Sequence, residues 1–269
     1  MDARSSTPGS PTRFGPVSGS RVTFVGDAMA AVVQGAIEVR DLIGETPVIV
    51  GGLAVLSRLS IPYRATVDLD VVDRLLGVTS KLEVLRAAVG AESVEPAAVL
   101  LPTRYGAVKV DVLEVRQIEP DKPSEDPGDR MHAASHAWAS DTASEMLIEV
   151  IRRDGERVEV AARVAEPGPL IAMKLQSVMN RSEDKQGTDL LDIIRVTFDA
   201  ETRPAAIAQI GAVTDSIASD IALHVDLWLV RRRDQALQRI SNAGAVDITA
   251  DDLELAAELL LAAAGRATS

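Results

Sequence analysis

The chain has 269 residues, 46% of them hydrophobic and 25% charged, with a formal net charge of -12; this is the composition of a globular protein of one large or two ordinary domains. The absence of cysteine excludes disulfides, thiolate-held zinc, iron–sulfur clusters and a cysteine nucleophile. The acidic balance argues against a broad grip on duplex DNA, and aromatics at 3% leave too few rings for a single-strand stacking platform.

Residues 1–20, rich in Ser, Pro, Gly and Thr, read as a flexible tail, with no apolar segment of the signal-peptide kind. GDAMAAVVQGAIEVRDLI (26–43) predicts an amphipathic helix with Gly35 as a mild interruption. TPVIVGG is a short apolar strand ending in paired glycines, and LAVLSRLS starts a helical turn or two from them. IPYRATVDLDVVD then shows strand alternation over residues 66–72. SKLEVLRAAV (80–89) reads as helix, and strands over 99–102 and 107–115 flank a turn at Tyr105 and Gly106.

EPDKPSEDPGDR is a polar, proline-rich loop. His132 and His136 beside it have helix-face spacing but no HExxH pattern, so they read as ordinary surface or core histidines. Arg153, Asp154 and Gly155 between two apolar alternations signal a hairpin. From Glu166 the pattern turns helical, through PGPLIAMKLQSVMNR, TDLLDIIRVTF and most of 201–265. The expected organisation is a tail (1–20), an α/β domain (21–165) and a helical domain (166–269) completing a cleft. No apolar run has the length of a membrane span, so the reading is a cytoplasmic protein without a membrane.

The strongest chemistry lies in VDLDV. Asp68 and Asp70 are two apart, so on a strand both carboxylates face one side while Leu69 and Val71 face the other. Paired carboxylates repel unless a cation compensates, and hard oxygen ligands suit Mg²⁺ shared with substrate phosphates. Asp111 in VDVLEV sits on a second alternating strand, from which it would complete a three-carboxylate metal site or act as general base. Gly51 and Gly52 lack side chains, so their N–H groups and the following helix N-terminus can approach phosphate oxygens. Neither a P-loop nor a dinucleotide-binding fingerprint is present. Lys174 and Arg181, seven apart, would share a helical face, with Lys185 curling back toward them. Each feature alone also has a bland reading: an exposed strand edge, a turn, a solvated helix.

Taken in order, GGLAVLSRLSIPYRATVDLDVV, VDVLEV and PLIAMKLQSVMNRSEDKQGTDLLDII closely resemble the AbiEii-type nucleotidyltransferases, toxins and related proteins of the polymerase-beta-like superfamily. The resemblance spans roughly residues 47–198. It implies a mixed-sheet α/β nucleotidyltransferase fold with a mainly helical C-terminal part. It also implies transfer of a nucleoside monophosphate from a nucleoside triphosphate to an acceptor, with Mg²⁺ as cofactor. Asp68, Asp70 and Asp111 would be the metal ligands. Gly51, Gly52, Arg64, Thr66, Lys174, Arg181 and Lys185 would surround the nucleotide.

Asp189 and Asp192 match the family's later acidic pair. One of them, Asp192 among the candidates, would serve catalysis, although a structural ion-pair network fits the same spacing. The resemblance further implies RNA as acceptor, in particular a tRNA 3′ end, a toxin-like role and a neutralising antitoxin protein as partner. A small hydroxylated acceptor is the enzymatic alternative, and a catalytically weak nucleotide-binding interaction protein is the other. Arg231, Arg232 and Arg233 form the densest basic run, which would either steer an RNA backbone or simply solvate a helix.

Overall fold

The computed structural model describes residues 20–77 and 79–267. Its core is one mixed eight-stranded sheet, followed in the chain by a largely helical C-terminal region. In spatial order the strands are β1 (Ser20–Val25), β7 (Ser144–Ile151), β8 (Arg157–Val164), β2 (Val48–Val50), β3 (Asp68–Asp73), β6 (Val108–Glu114), β5 (Ala98–Leu101) and β4 (Glu92–Glu95). β3 runs parallel to β6 and antiparallel to β2. The hairpin foreseen at Asp154 and Gly155 joins β7 to β8, with Gly155 N–H donating to the Arg152 carbonyl.

Two strands differ from expectation. β1 was not foreseen: Ser20 to Val25 pairs in parallel with β7 at the sheet edge, so Ser20 belongs to the fold, while the rest of the expected tail lies outside the described residues. β4, ESVE, is exposed along its whole length, so it carries no apolar alternation to announce it. Its antiparallel pairing with β5 makes it a strand.

Helix α1 (Ala30–Ile43) begins four residues later than the pattern suggested and crosses the face of the sheet formed by Val108, Val110 and Val112 of β6 with Leu69 and Val71 of β3. Gly35 is what permits this approach: a Cβ there would stand 2.5 Å from Cγ1 of Val108. The residue that weakens the helix by propensity is the one that lets it seat on the sheet. α2 (Gly51–Arg58) springs directly from β2, and α3 (Lys81–Arg86) is capped by the Ser80 hydroxyl, which accepts from Glu83 N–H.

The expected loop over 119–130 is largely helical. A single turn, α4 (Ile118–Asp121), precedes α5 (Pro127–Thr142), which begins inside the loop's sequence. Asp126 caps α5 by accepting from Asp129 N–H, and Pro127 takes the first position, where no N–H is missed. The Pro, Asp and Gly residues that read as loop are therefore a helix start, and His132 and His136 stand on α5. After β8 come α6 (Pro167–Ser177), α7 (Glu183–Phe198), α8 (Arg203–Ile210), α9 (Asp215–Val225), a π-helical turn (Asp226–Arg231), α10 (Arg233–Asn242) and α11 (Ala250–Ala267). No helix among the described residues is long and apolar enough to cross a membrane.

Candidate active site

The register of β3 and β6 decides what faces the open side of the sheet. Asp70 pairs with Asp111 and Asp68 with Lys109, so in a parallel ladder these four side chains share the face opposite α1. The antiparallel pairing of Val50 with Asp70 brings the end of β2, and so the start of α2, beside the same carboxylate. Gly51 has φ +62°, and a Cβ on it would fall 2.0 Å from Asp70 Oδ2. Both space and backbone conformation require glycine there. A Cβ on Gly52 would meet Thr66 Oγ1 at 3.0 Å and Arg64 Nη2 at 3.3 Å.

Above this floor lies a cleft of about 600 Å³. Gly52, Arg64, Thr66, Asp68, Asp70, Asp111, Lys174, Arg181 and Lys185 all line it, so most of the residues singled out in the sequence converge on one space. Gly51 and Asp192 are not among its lining residues. Burial pushes the Asp70 carboxyl above its usual range; Lys174 and Arg181 pull it back, while Asp111 and Asp68 add to the rise. By surface area Asp70 is only partly covered, so the carboxylate is enclosed by the cleft rather than sealed under it.

The cationic wall is organised from beneath. Lys174, 7% exposed, places Nζ 2.8 Å from Asp192 and beside Asp189. Asp192, at 0% exposure, also accepts both Arg64 Nη2 contacts, at 2.9 and 3.1 Å, and the Tyr63 hydroxyl. Burial alone would lower the Lys174 ammonium, but Asp192 and Asp189 outweigh it and raise its pKa. Asp192 moves the other way: burial favours its neutral form, and Lys174 and Arg64 overcome this to hold it ionised. Ser177 donates to Asp189 at 2.7 Å, and Arg181 Nε stands 3.3 Å from the same carboxylate.

Several expectations change here. Asp192 does not meet the cleft; it is a buried counter-ion that holds Lys174 and Arg64 in place. Arg181 lies past the end of α6, so it reaches Lys174's surroundings through Asp189 and not through a shared helical face. The three-carboxylate cage is not assembled: among the described residues no group of three acidic or histidine side chains is placed to hold a metal. Asp111 is instead 3.2 Å from Lys109, which also pairs with Glu95. Lys109 is a cleft residue that sequence reasoning passed over, although its position two before Asp111 puts it on the same strand face. Asp68 and Asp70 still offer two hard oxygen donors on one face, which suits Mg²⁺ when substrate phosphates complete the shell.

Arg231, Arg232 and Arg233 lie outside the cleft. Arg231 pairs with Asp226, Arg233 with Glu254, and Arg232 sits over the Trp228 ring.

No protein-family model matches the chain, and no curated protein matches it. Among solved structures it is similar to an antigenic nucleotidyltransferase-like protein from Paracoccidioides brasiliensis, with 19% identity and a TM-score of 0.40 over 81% of this chain and 94% of that one. That weak likeness does not single out the AbiEii-type branch.

Proposed function

We propose that the chain binds a nucleoside triphosphate in this cleft and transfers its nucleoside monophosphate to a small hydroxylated acceptor. The carrying observation is the opposition of two charge types across one space. Asp68 and Asp70 line the floor, and Lys174, Arg181, Lys185 and Arg64 line the walls. A polyphosphate bridged to a divalent cation is the ligand that satisfies both at once. A cleft of about 600 Å³ lies within the ~300–1,000 Å³ common for small-molecule sites.

In this reading Asp68 and Asp70 hold Mg²⁺, which when bound would neutralise phosphate charge and orient the reacting groups. The acceptor oxygen attacks the α-phosphorus in line, the bond to the β-bridging oxygen breaks, and pyrophosphate leaves. Asp111, on the same sheet face, receives the hydroxyl proton. Gly51 leaves room for Asp70, and the start of α2 offers backbone N–H groups to phosphate. Arg181 and Lys185 meet the charge that develops on pyrophosphate. Lys174, fixed by Asp189 and Asp192, supplies a positive field without reorganising.

A small acceptor is favoured over RNA. The net charge of -12 opposes a polyanion, and the densest basic run lies off the cleft with two of its three charges paired to carboxylates. The experiment incubates the purified protein with each α-³²P-labelled triphosphate, Mg²⁺, and either pooled RNA or a library of small alcohols. Label on a small molecule supports the proposal. Label on RNA replaces it with the toxin-like reading, and triphosphate binding without transfer to anything leaves a nucleotide-binding protein.

A further inference from the structure

Behind the cleft is a second, smaller cavity of about 210 Å³ between α5, α6 and the sheet. Asp70, Leu113, Lys174, Asn180 and Arg181 line both spaces, so the two meet at the carboxylate floor and its cationic wall. The smaller lobe differs in chemistry: Leu113, Leu170 and Met173 make it largely apolar, and His132 and His136 contribute its rings.

His136 is 4% exposed. Its Nδ1 lies 2.6 Å from the carbonyl oxygen of His132, one turn back on α5. A carbonyl can only accept, so Nδ1 carries the proton and Nε2 is left as a bare acceptor. Nε2 has no hydrogen-bond partner among the described residues. His136 lines the lobe, so Nε2 is an acceptor open to a hydrogen bond from a ligand held there.

We propose that this lobe is the acceptor subsite, and that it selects a small, neutral, hydroxyl-bearing molecule with an apolar body whose O–H donates to His136 Nε2. The proposal rests on the transferase reading above and names its second substrate class. Its size divides the two ligands. The lobe is smaller than the ~300 Å³ at the low end of ordinary ligand sites, whereas the larger cleft accommodates a nucleotide. Polarity divides them the same way: a triphosphate belongs with Lys185, Lys109 and Arg64, which line only the cleft, and an uncharged molecule with Leu170 and Met173, which line only the lobe. Burial, aided by the neighbouring His132, pushes the His136 imidazole down to about 3. It therefore stays neutral and anchors the hydroxyl in the bound state; for transfer the O–H turns from Nε2 toward Asp111 of the adjoining cleft, which takes the proton as the oxygen attacks. Asp70 lines both spaces, so an acceptor held in the lobe adjoins the carboxylate floor of the cleft.

The test uses the intact protein with ¹³C-methyl methionine, because Met173 lines the lobe and the chain has six methionines. Benzyl alcohol is titrated as a neutral alcohol probe and toluene as its hydroxyl-free counterpart, each with and without a nonhydrolysable triphosphate and Mg²⁺. The expected result is a shift of the Met173 methyl by both, with benzyl alcohol binding about 3- to 10-fold tighter, the range of one hydrogen bond. His136→Phe should abolish that preference, and the triphosphate should leave alcohol binding in place. Equal binding of alcohol and toluene to the parent overturns the role of His136, and needs no variant to be folded. Competition between alcohol and triphosphate overturns the acceptor assignment and makes the lobe a nucleobase pocket. If alcohol binds but no triphosphate does, the transferase reading fails, and the acceptor role fails with it. If triphosphate binds but neither probe shifts Met173, only the lobe proposal falls.

Discussion

Gly51 and Asp70 are mutually exclusive with any side chain at position 51: a Cβ there would lie 2.0 Å from Asp70 Oδ2. The φ of +62° adds a backbone penalty of about 1–2 kcal/mol for an L side chain. Gly51→Ala should therefore lower unfolding stability by at least that amount and displace the Asp70 carboxylate. Denaturant unfolding reads the first effect and Mg²⁺-dependent triphosphate binding the second. A variant with parental values for both would show that the β2–α2 turn does not set the carboxylate.

Asp68→Asn and Asp70→Asn should each reduce Mg²⁺-dependent transfer by at least about 100-fold, because a neutral amide is a poor ligand for a hard divalent cation. The two should differ in stability. Asp70 is strained by burial and by its acidic neighbours, so Asp70→Asn should raise Tm, by about 2–4 °C for each kcal/mol relieved. Calorimetry without metal checks this; a fall in Tm would mean that Lys174 and Arg181 already compensate the charge. Chelation of Mg²⁺ should reproduce the activity loss in the parent.

Lys174 carries structural weight as well as the proposed field. Lys174→Met leaves Asp189 and Asp192 buried with only Arg181, Arg64 and their hydroxyl partners, and breaking such a pair costs about 3–5 kcal/mol. The double variant Lys174→Met/Asp189→Asn should cost less than the sum of the single changes. Additive losses in a double-mutant cycle would show that the pair is not coupled.

His136 predicts a pH dependence of stability. Its folded pKa, about 3, lies below the ordinary value of 6.5, so between these values the unfolded chain binds a proton that the folded chain does not. Stability should fall as pH drops through that window, by up to about 1.4 kcal/mol per pH unit from this group. His136→Phe should flatten that part of the profile in urea unfolding. An unchanged slope would mean that the imidazole protonates in the folded state.

Local pattern determined much of this protein. The alternation of VDLDV put Asp68 and Asp70 on one strand face, the apolar runs marked the central strands, and the 3.6-residue period marked the C-terminal helices. Each of these depends on neighbours within a few residues, which is why periodicity could report it. Asp126, Pro127 and Asp129 were visible too, but the same residues serve loops and helix starts, and packing of α5 against α6 decided between them. The tertiary structure alone decided the remainder. Register placed Lys109 beside Asp68, Asp111 beside Asp70 and Asp70 beside Gly51, since strand pairing joins residues that no local spacing relates. It also buried Asp192 under the cleft as a counter-ion. His136 became the wall of a lobe, because burial and the one free ring nitrogen depend on what packs around α5 rather than on the spacing of two histidines.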